Sequence, residues 1–556
     1  MQIIETPYNF ELIFDYNVRI IAAIKAIPGK YWNPGNKCWC IPLSQRNAVE
    51  VLAKKYNVIP AGSDQPENIG VIPELPELDI QIPLKRDLFP FQGKGVAYTL
   101  QKMGTGGVFI GDKPGLGKTS QAIAATVAAK SKCILIICPS TLKLNWQREF
   151  MDVAGMKSMI MADSVKNTWH VYHKTGLFNV FIVNFESLKK YFVASINKPA
   201  DKPLKLNHIV FKDTINLFDT IIIDESHKCK DGSTQQAKFC MGITRQKRLV
   251  LCLSGTPVVN KPKDLVSQLH ILGRLDQFGG YKYFMNRYCG GNGSGATNLR
   301  ELNYKLCTTC FYQREKKDVL KELPDKIRQI VLCDITTRKE YNEALEDLAN
   351  YLKKYKEKTD PEIQNSMRGE IMVQIMACKN ISARGKLQDA IDQIDEVIES
   401  GEKIGVFIHQ KEIAQALLKH YPGAVSVRGD DSMEARQAAV DSFQRDASTK
   451  IIICSIKAAG VGITLTAASR MMFIELPWHA ADCDQCEDRF HRIGQKDSVQ
   501  CGYLLGKDTI DEKIYEIIES KRLVANTITG SADDIQKEII DKIANSLFNT
   551  QKLEAA

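Results

Sequence analysis

No apolar run among the 556 residues approaches the roughly 20 that a membrane-spanning helix needs. The longest, at 133–138 and 248–253, are strand-sized, so the chain is read as one that enters no membrane. The opening MQIIETPYNFEL lacks the basic and apolar regions of a secretion signal; it is acidic and broken by a proline, and no signal peptide is expected. Low-complexity tracts, tandem repeats and a long basic tail are missing too. Hydrophobic residues make up 44% and charged residues 25%, which excludes a mainly disordered chain, a collagen and a small disulfide scaffold.

What is present fits a folded protein of roughly three or four domains. The formal charge of +9 favours a polyanionic partner only weakly, because many housekeeping enzymes are as basic. Cysteine is frequent, at 16. Cys133, Cys138, Cys252 and Cys454 sit inside apolar strand-like runs, which points to reduced core thiols in a reducing compartment. Two Cys-x-x-Cys pairs, Cys307–Cys310 and Cys483–Cys486, lie far apart in the chain. A zinc site needs four converging ligands, so no structural zinc is expected. Cys38 and Cys40 read as two faces of one strand.

Residues 1–58 form a small unit. Phe10, Leu12 and Phe14 alternate as in a strand; Val18, Ile21 and Ile24 follow helical spacing; 31–43 read as a hairpin around NPGN; 44–56 read as a capped helix. The order is β-α-β-β-α. A proline-rich stretch, 59–83, reads as a linker. From 84 strands alternate with helices, with strand candidates at 107–112, 133–139, 179–184, 220–225 and 248–254. The polar stretch 195–213 reads as an insertion. Helical patterns follow to about 400, including one face of Tyr341, Leu345, Leu348 and Leu352 and another of Leu387, Ile391, Ile394 and Ile398. A second α/β series has strands near 403–409, 424–429, 450–455, 470–475 and 500–505, and 510–548 read as two amphipathic helices. The fold class is α/β: two parallel-sheet lobes with helical insertions behind a small α+β module. The lobes are placed at 84–330 and 401–508, with a helical protrusion at 331–400 and C-terminal helices at 509–556.

Three clusters carry chemistry. GDKPGLGKTSQ (111–121) leaves a buried strand and opens a helix, so its successive N–H groups are suited to cradle phosphates. Lys118 would reach the β and γ phosphates of ATP and Thr119 would hold Mg²⁺. Asp112 stands where the strict P-loop pattern has glycine; the other reading is a glycine-rich strand–helix turn. IIIDESH (221–227) ends a strand in two carboxylates, Asp224 suited to Mg²⁺ and Glu225 to activating water. An isolated Asp-Glu is more often a cap or a salt-bridged pair, but this one follows a P-loop in the same strand series. LSGTP (253–257), with Ser254 and Thr256, fits a sensor of the γ-phosphate. In QCEDRFHRIGQ (485–495), Gln485, Arg489 and Arg492 fall on one helix face, and the two arginines suit an arginine-finger role. A basic surface stripe is the plainer alternative.

These strings, in this order, resemble a superfamily 2 helicase-type motor of the Snf2 class over residues 86–520. LFPFQGKGVAYTL resembles the adenine-recognising Q motif, with Gln92; PGLGKTSQ is similar to motif I; ICPSTLKLNWQREF to motif Ia; VNFESL to the next DNA-contacting element; DESH to motif II; LSGTPVVNKPKDL to motif III; CSIKAAGVGITLTAAS to motif V; and QCEDRFHRIGQ to motif VI. DESH and HRIGQ separate the Snf2 class from other branches. Lys113 and Pro114 depart from the family pattern, and YQREKKDVL (312–320) resembles its Arg-Arg stretch with Gln313 in place of one arginine. The resemblance implies ATP and Mg²⁺ as cofactors, with Gly115, Gly117, Ser120 and Gly462 in the nucleotide pocket and His227, Ser254, Thr256 and Gln485 in coupling. It places Ser140, Asn184, His409, Lys457, Thr464 and Trp478 along a DNA track, though His409 and Trp478 equally well simply pack.

The N-terminal unit resembles the HARP-type module that precedes the motor in fork-remodelling annealing helicases, as does GGNGSGATNLRELNYKL (290–306). Lys25, Lys30, Lys37, Trp32 and Trp39 offer stacking and phosphate contacts; the other reading is a small core of Trp39, Phe10 and Phe14 with solvated lysines. The function expected is an ATP-dependent translocase on double-stranded DNA that remodels or anneals branched or forked DNA. A motor that displaces proteins from DNA is the alternative enzyme, and a DNA-structure-binding protein with a secondary or inactive motor is the alternative of another class. No fused nuclease or histone-binding segment is apparent, which leads to the expectation of a bacterial or phage protein in the cytoplasm, or a nuclear one if eukaryotic.

Overall fold

The computed structural model describes residues 2–5, 9–13, 18–33, 38–42, 45, 48–49, 51–52, 70–199, 201, 203–255, 262–291, 295–357, 361–459 and 462–524. The chain divides into two compact units. One comprises residues 1–74, 261–263 and 275–309, and the other the remainder.

In the first unit, β1 (Gln2–Glu5), β2 (Asn9–Ile13), β3 (Tyr31–Asn33) and β4 (Cys38–Pro42) form an antiparallel sheet in the order β1-β2-β4-β3. The alternation read at Phe10 and Leu12 is that of β2, and Trp32 faces Trp39 across the hairpin. Helix Val18–Lys25 packs Ile20 and Ile24 on Phe10, Leu12 and Ile41 to make the core. β1 is an addition to the expected order; it is too short to show a period and is held by Ile3 pairing with Leu12. Phe14 and most of the capped helix lie outside the described residues. Segment 275–309 belongs with this unit rather than with a lobe spanning 84–330. Within the unit, the Tyr304 ring lies so close to Gly70 that a Cβ there would meet its hydroxyl at 2.8 Å.

The second unit holds two parallel sheets. The first contains β5 (Val108–Ile110), β6 (Ile134–Cys138), β7 (Ser158–Ile160), β8 (Val180–Asn184), β11 (Thr220–Asp224), β12 (Leu249–Leu253) and β13 (Phe311–Tyr312), in the order β13-β5-β12-β11-β6-β8-β7. Between β8 and β11, β9 (Val193–Ile196) and β10 (Ile209–Phe211) make a separate antiparallel pair inside the stretch expected as a polar insertion. The second sheet contains β14 (Lys326–Cys333), β15 (Ile404–Ile408), β16 (Val425–Val427), β17 (Ile451–Ser455), β18 (Arg470–Phe473) and β19 (Val499–Gly506), ordered β14-β19-β18-β15-β17-β16. Every pairing in both sheets is parallel. Helices cover both faces, so β6, β12 and β15 are buried along their whole length and read as unbroken apolar runs.

Two boundaries move. The stretch from Leu75 onward, expected as linker, packs Leu75, Leu78, Ile82 and Leu84 on the first sheet's core. The second sheet begins with β14, at residue 326, inside the span expected for the first lobe. β14 is an edge strand with Ile327, Ile330 and Leu332 exposed, so it lacks the buried alternation that marks a strand. Ion pairs from Lys326 and Arg328 to Glu487, both 2.7 Å, hold it in place. The helix faces read at Tyr341, Leu348 and Leu352 and at Ile391 and Ile394 are buried, as are Ile510, Ile514 and Ile517 of helix Ile510–Val524. The second tail helix, with Ile535, Ile539 and Ile543, lies outside the described residues.

Candidate active site

The P-loop leaves the carboxyl end of β5, where parallel α/β sheets bind ligands. Gly115 and Gly117 take φ of +88° and +74°, which an L side chain resists. Gly117 caps helix Lys118–Ala128, so its first-turn N–H groups open toward the loop. A Cβ on Gly117 would collide with the Gln92 amide, and one on Gly115 would meet the Arg492 Cβ at 2.9 Å. Gln92 accepts from the Phe89 N–H at 3.1 Å and donates to the Leu116 carbonyl at 3.1 Å, which ties the Q motif to the loop. Lys118 donates to the Asp112 carbonyl at 2.7 Å; burial lowers its ammonium's pKa against the pull of Glu225, Asp112 and Asp224. Thr119 sits in the same first turn. The Ser120 hydroxyl accepts from Arg86 at 2.8 Å, and Arg86 pairs with Glu149 at 2.6 Å.

Asp112 is no defect in the loop. Its fully buried carboxylate receives the Arg314 guanidinium at 2.5 Å and the Gln121 amide at 2.9 Å. Arg314 also donates to the Phe91 carbonyl and to Gln121, and lies 5.1 Å from the centroids of both the Phe91 and Tyr312 rings. The arginine that the sequence reading left without a role therefore clamps Q motif, P-loop and β13 together. Asp112 closing a buried strand signals that some cation must meet it, but nothing local in the sequence says which. Pro114 packs on motif III, where a Cβ at Gly255 would meet its Cδ at 3.0 Å.

β11 ends at Asp224. Its carboxylate accepts from the Trp146 indole and from the Glu225 N–H, both at 2.9 Å. Burial, then the neighbouring Glu225 charge, push the Asp224 carboxyl up to about 6. Glu225 has φ of +51°, turning its carboxylate toward His227 at 3.3 Å. Burial pulls its pKa up, but the His227 hydrogen bond and the charges of His227, Lys118 and Arg489 leave it below the ordinary value. His227 Nδ1 also meets the Ser254 hydroxyl at 3.1 Å, which links motif II to motif III. Thr256 lies outside the described residues.

From the second sheet come the two arginines, by a different route from the one expected. Helix Ala480–Glu487 carries Gln485 but ends before Arg489 and Arg492. Phe490 turns into the core against Phe407, 6.0 Å between centroids, and the Leu465 N–H takes the Arg489 carbonyl, so the chain leaves helical geometry. Arg489 is buried and feels the charges of Glu225 and Asp224. Arg492 is held at the Thr464 hydroxyl, 2.6 Å, and the Ile463 carbonyl, 3.2 Å. Burial and the adjacent Arg489 lower its guanidinium to about 9. Lys316, just after Arg314, pairs with Asp488 at 2.7 Å and donates to the His491 carbonyl at 2.6 Å. Gly462, with φ of +82°, lies where a Cβ would strike Leu142 of motif Ia. Acids, lysine and arginines from both sheets thus meet around one loop.

The residues read along a DNA track are spread over loop ends. Ser140 and Lys457 are exposed at the starts of short helical turns. Asn184 donates to Glu186 at 2.7 Å. The His409 N–H donates to buried Glu475 at 2.7 Å. Thr464 is engaged by Arg492, and the Lys379 ammonium lies 4.6 Å from the centroid of Trp478. In the first unit Lys25 is exposed, Lys30 half-buried and Trp32 47% exposed; Lys37 lies outside the described residues.

Comparison with known proteins shows the family of this chain. The family described as SNF2-related domain matches residues 45–385, and the helicase conserved C-terminal domain matches 386–494. The chain belongs to the SNF2 family of helicase-like ATPases. Among its relatives is the SWI/SNF-related matrix-associated actin-dependent regulator of chromatin subfamily A-like protein 1 homolog of Caenorhabditis elegans, 28% identical over 94% of this chain and 74% of that protein. Another is the human DNA annealing helicase and endonuclease ZRANB3, 29% identical over 83% of this chain but only 42% of that protein. Among solved structures, the Sulfolobus solfataricus SWI2/SNF2 ATPase core in complex with dsDNA is 24% identical, covering 84% of this chain and 99% of that one, with a TM-score of 0.38. No helix among the described residues is long and apolar enough to cross a membrane.

Proposed function

We propose that this ATPase translocates on double-stranded DNA and uses that motion to remodel or reanneal forked or branched DNA. The observation that carries the motor reading is the gathering of Lys118, Asp224, Glu225, Arg489 and Arg492, from two sheets, around the loop at 115–119. A nucleotide there would have its phosphates at the helix terminus and Lys118, its adenine beside Gln92, and the two arginines positioned to meet charge developing on the γ-phosphate. Glu225, kept ionised by His227, is the base for the attacking water. The donor set fits Mg²⁺: Asp224 is a carboxylate at the end of β11 beside the Glu225 charge, and the Thr119 hydroxyl lies one residue beyond Lys118. Bound there by Thr119 and Asp224, the ion would supply positive charge to the phosphate oxygens.

His227 joins Ser254 to the catalytic carboxylate, and Arg492 joins Thr464 to the P-loop. Hydrolysis would therefore be felt in motif III and motif V, beside the residues read as DNA contacts. Ser140, Asn184, His409, Lys457, Thr464 and Trp478 are assigned to that track, and Lys25, Lys30, Lys37 and Trp32 to recognition of the junction. The intact lysine, acids and arginines weigh against an inactive motor. Location follows the DNA, in the cytoplasm of a bacterial or phage-infected cell or the nucleus of a eukaryotic one.

The test is ATP turnover by the full chain without DNA, with plain duplex and with a fork, beside an assay for rejoining of unwound strands. Fork-preferred turnover with rejoining is expected. Equal stimulation by fork and duplex removes the remodeller reading and leaves the protein-displacing motor. Fork binding without turnover would leave only the DNA-structure-binding protein.

A further inference from the structure

Alternate residues of a strand share a face, so Cys38 and Cys40 are not on two faces of β4, as the sequence reading had them. Both are fully buried, and their sulfurs lie 3.8 Å apart. Trp39 and Ile41 point the other way, into the core with Phe10 and Leu12. Glu11 of β2 pairs in register with Cys40 and so lies on the thiol face. A carboxylate oxygen of Glu11 and the two sulfurs all fall within 4.8 Å of one another.

We propose that Glu11, Cys38 and Cys40 bind one thiophilic divalent cation, Zn²⁺ being the natural occupant. Two thiolates each about 2.3 Å from a tetrahedral Zn²⁺ stand about 3.8 Å apart, which is the separation found. A carboxylate oxygen supplies the third ligand, and half-buried Glu11 leaves a side open to water as the fourth. Among the described residues no other group of three or more potential ligands converges in this way. The buried pair Cys229–Cys240, at 3.7 Å, shows the contrast, because no carboxylate or imidazole joins it. Binding replaces two S–H bonds by two Zn–S bonds and releases two protons to solvent, so no oxidant or reductant is needed. The ion would link β2 to β4 and brace the hairpin that presents Tyr31 and Trp32.

The experiment uses the full chain. It is stripped with a chelator, reloaded with Zn²⁺ or Co²⁺ under reducing conditions and desalted. Metal is counted by mass spectrometry, and the Co²⁺ form is examined for thiolate charge-transfer and tetrahedral d–d absorption. One ion per chain is expected, with thiolate bands. Cys38→Ser with Cys40→Ser should lose it, Glu11→Gln should weaken it about tenfold or more, by the scale of perturbed metal sites, and Cys307→Ser with Cys483→Ser should keep it. Protease resistance of the N-terminal sheet checks that the variants are folded. Should they not fold, alkylation of the unaltered protein decides, since Zn²⁺ must protect Cys38 and Cys40 ahead of the other thiols. No bound metal, or metal and bands kept without Cys38 and Cys40, or equal alkylation with and without Zn²⁺, would each overturn the site.

Discussion

The two units treat polar groups in opposite ways. The nucleotide cleft buries charges that do not fully satisfy one another: Lys118 and Arg492 are lowered by burial, and Asp224 is raised. The N-terminal sheet keeps an apolar core and sets its large amphipathic rings outside, Tyr31 at 52% and Trp32 at 47% exposure, with Lys25 exposed nearby. A buried, electrostatically strained pocket suits a small, highly charged ligand that enters and leaves each cycle. Exposed rings and lysines suit a large partner held by stacking and phosphate contact. Changes in the cleft should therefore abolish chemistry on every DNA, and changes in the N-terminal unit should alter how DNA is bound while leaving turnover at saturating DNA intact.

The largest effects belong to the cleft. Lys118→Ala should reduce ATP turnover to background and remove nucleotide binding, as read by turnover and equilibrium titration. Glu225→Gln should keep ATP and DNA binding while turnover falls by about 10²- to 10⁴-fold, the range for a lost general base. Normal turnover in that variant would remove Glu225 from the base role. Arg489→Ala and Arg492→Ala should each leave nucleotide affinity nearly intact and cut kcat by about 10³-fold or more. If the loss appeared instead in affinity alone, the arginines would be ground-state ligands.

Arg314→Ala should behave differently, since Arg314 reaches the site only through Asp112, Gln121 and Phe91. Breaking such a buried pair costs about 3–5 kcal/mol, so the expected result is a lower melting temperature and a weaker hold on adenine. Arg314→Ala with Asp112→Asn should recover part of the stability. A further effect comes from pH. The folded Asp224 carboxyl, at about 6, lies above the ordinary carboxylate value, so the ligand-free protein binds the extra proton and loses stability as pH rises through 6. Mg²⁺ requires the ionised form, so affinity for the Mg²⁺–nucleotide pair should run the other way, falling about tenfold per pH unit below 6. A flat affinity over that range would remove Asp224 from the metal set.

The cleft was largely legible because its chemistry is local. A P-loop, a strand ending in Asp-Glu and the HRIGQ turn are contiguous strings, each tied to a strand end by an apolar run. Elements defined by partners far along the chain were not. β13 has two residues and exists because Phe311 and Tyr312 pair with Phe109 and Ile110. β14 is an exposed edge that only its pairing with β19 makes a strand. The turn at Arg489 follows from Phe490 packing on Phe407, which helical spacing does not reveal. Arg314 was hidden for the same reason, as its partner Asp112 lies on another strand's end. The cysteines of β4 were a plain misreading of strand period rather than a missing long-range fact.

The smallest expected effect is the sharpest test of the contrast between the units. Trp32 lies on the edge strand β3, edge-on to Trp39 with 5.7 Å between centroids. Half of its surface is open, so Trp32→Ala removes less packing than loss of a buried ring would. If the ring stacks on an unpaired base at a junction, the substitution should weaken fork binding by about 1–3 kcal/mol, the worth of one base–aromatic stack. Binding to plain duplex, which offers no open base face, should hardly change. Lys25→Glu with Lys30→Glu should instead weaken fork and duplex together and flatten the salt dependence of binding, because fewer counterions are released. ATP turnover at saturating duplex should remain normal in both variants, since neither residue belongs to the unit that holds the cleft. Equal losses on fork and duplex for Trp32→Ala, with the salt slope unchanged, would mean that the ring serves the sheet's packing, and junction recognition would have to be sought elsewhere in the chain.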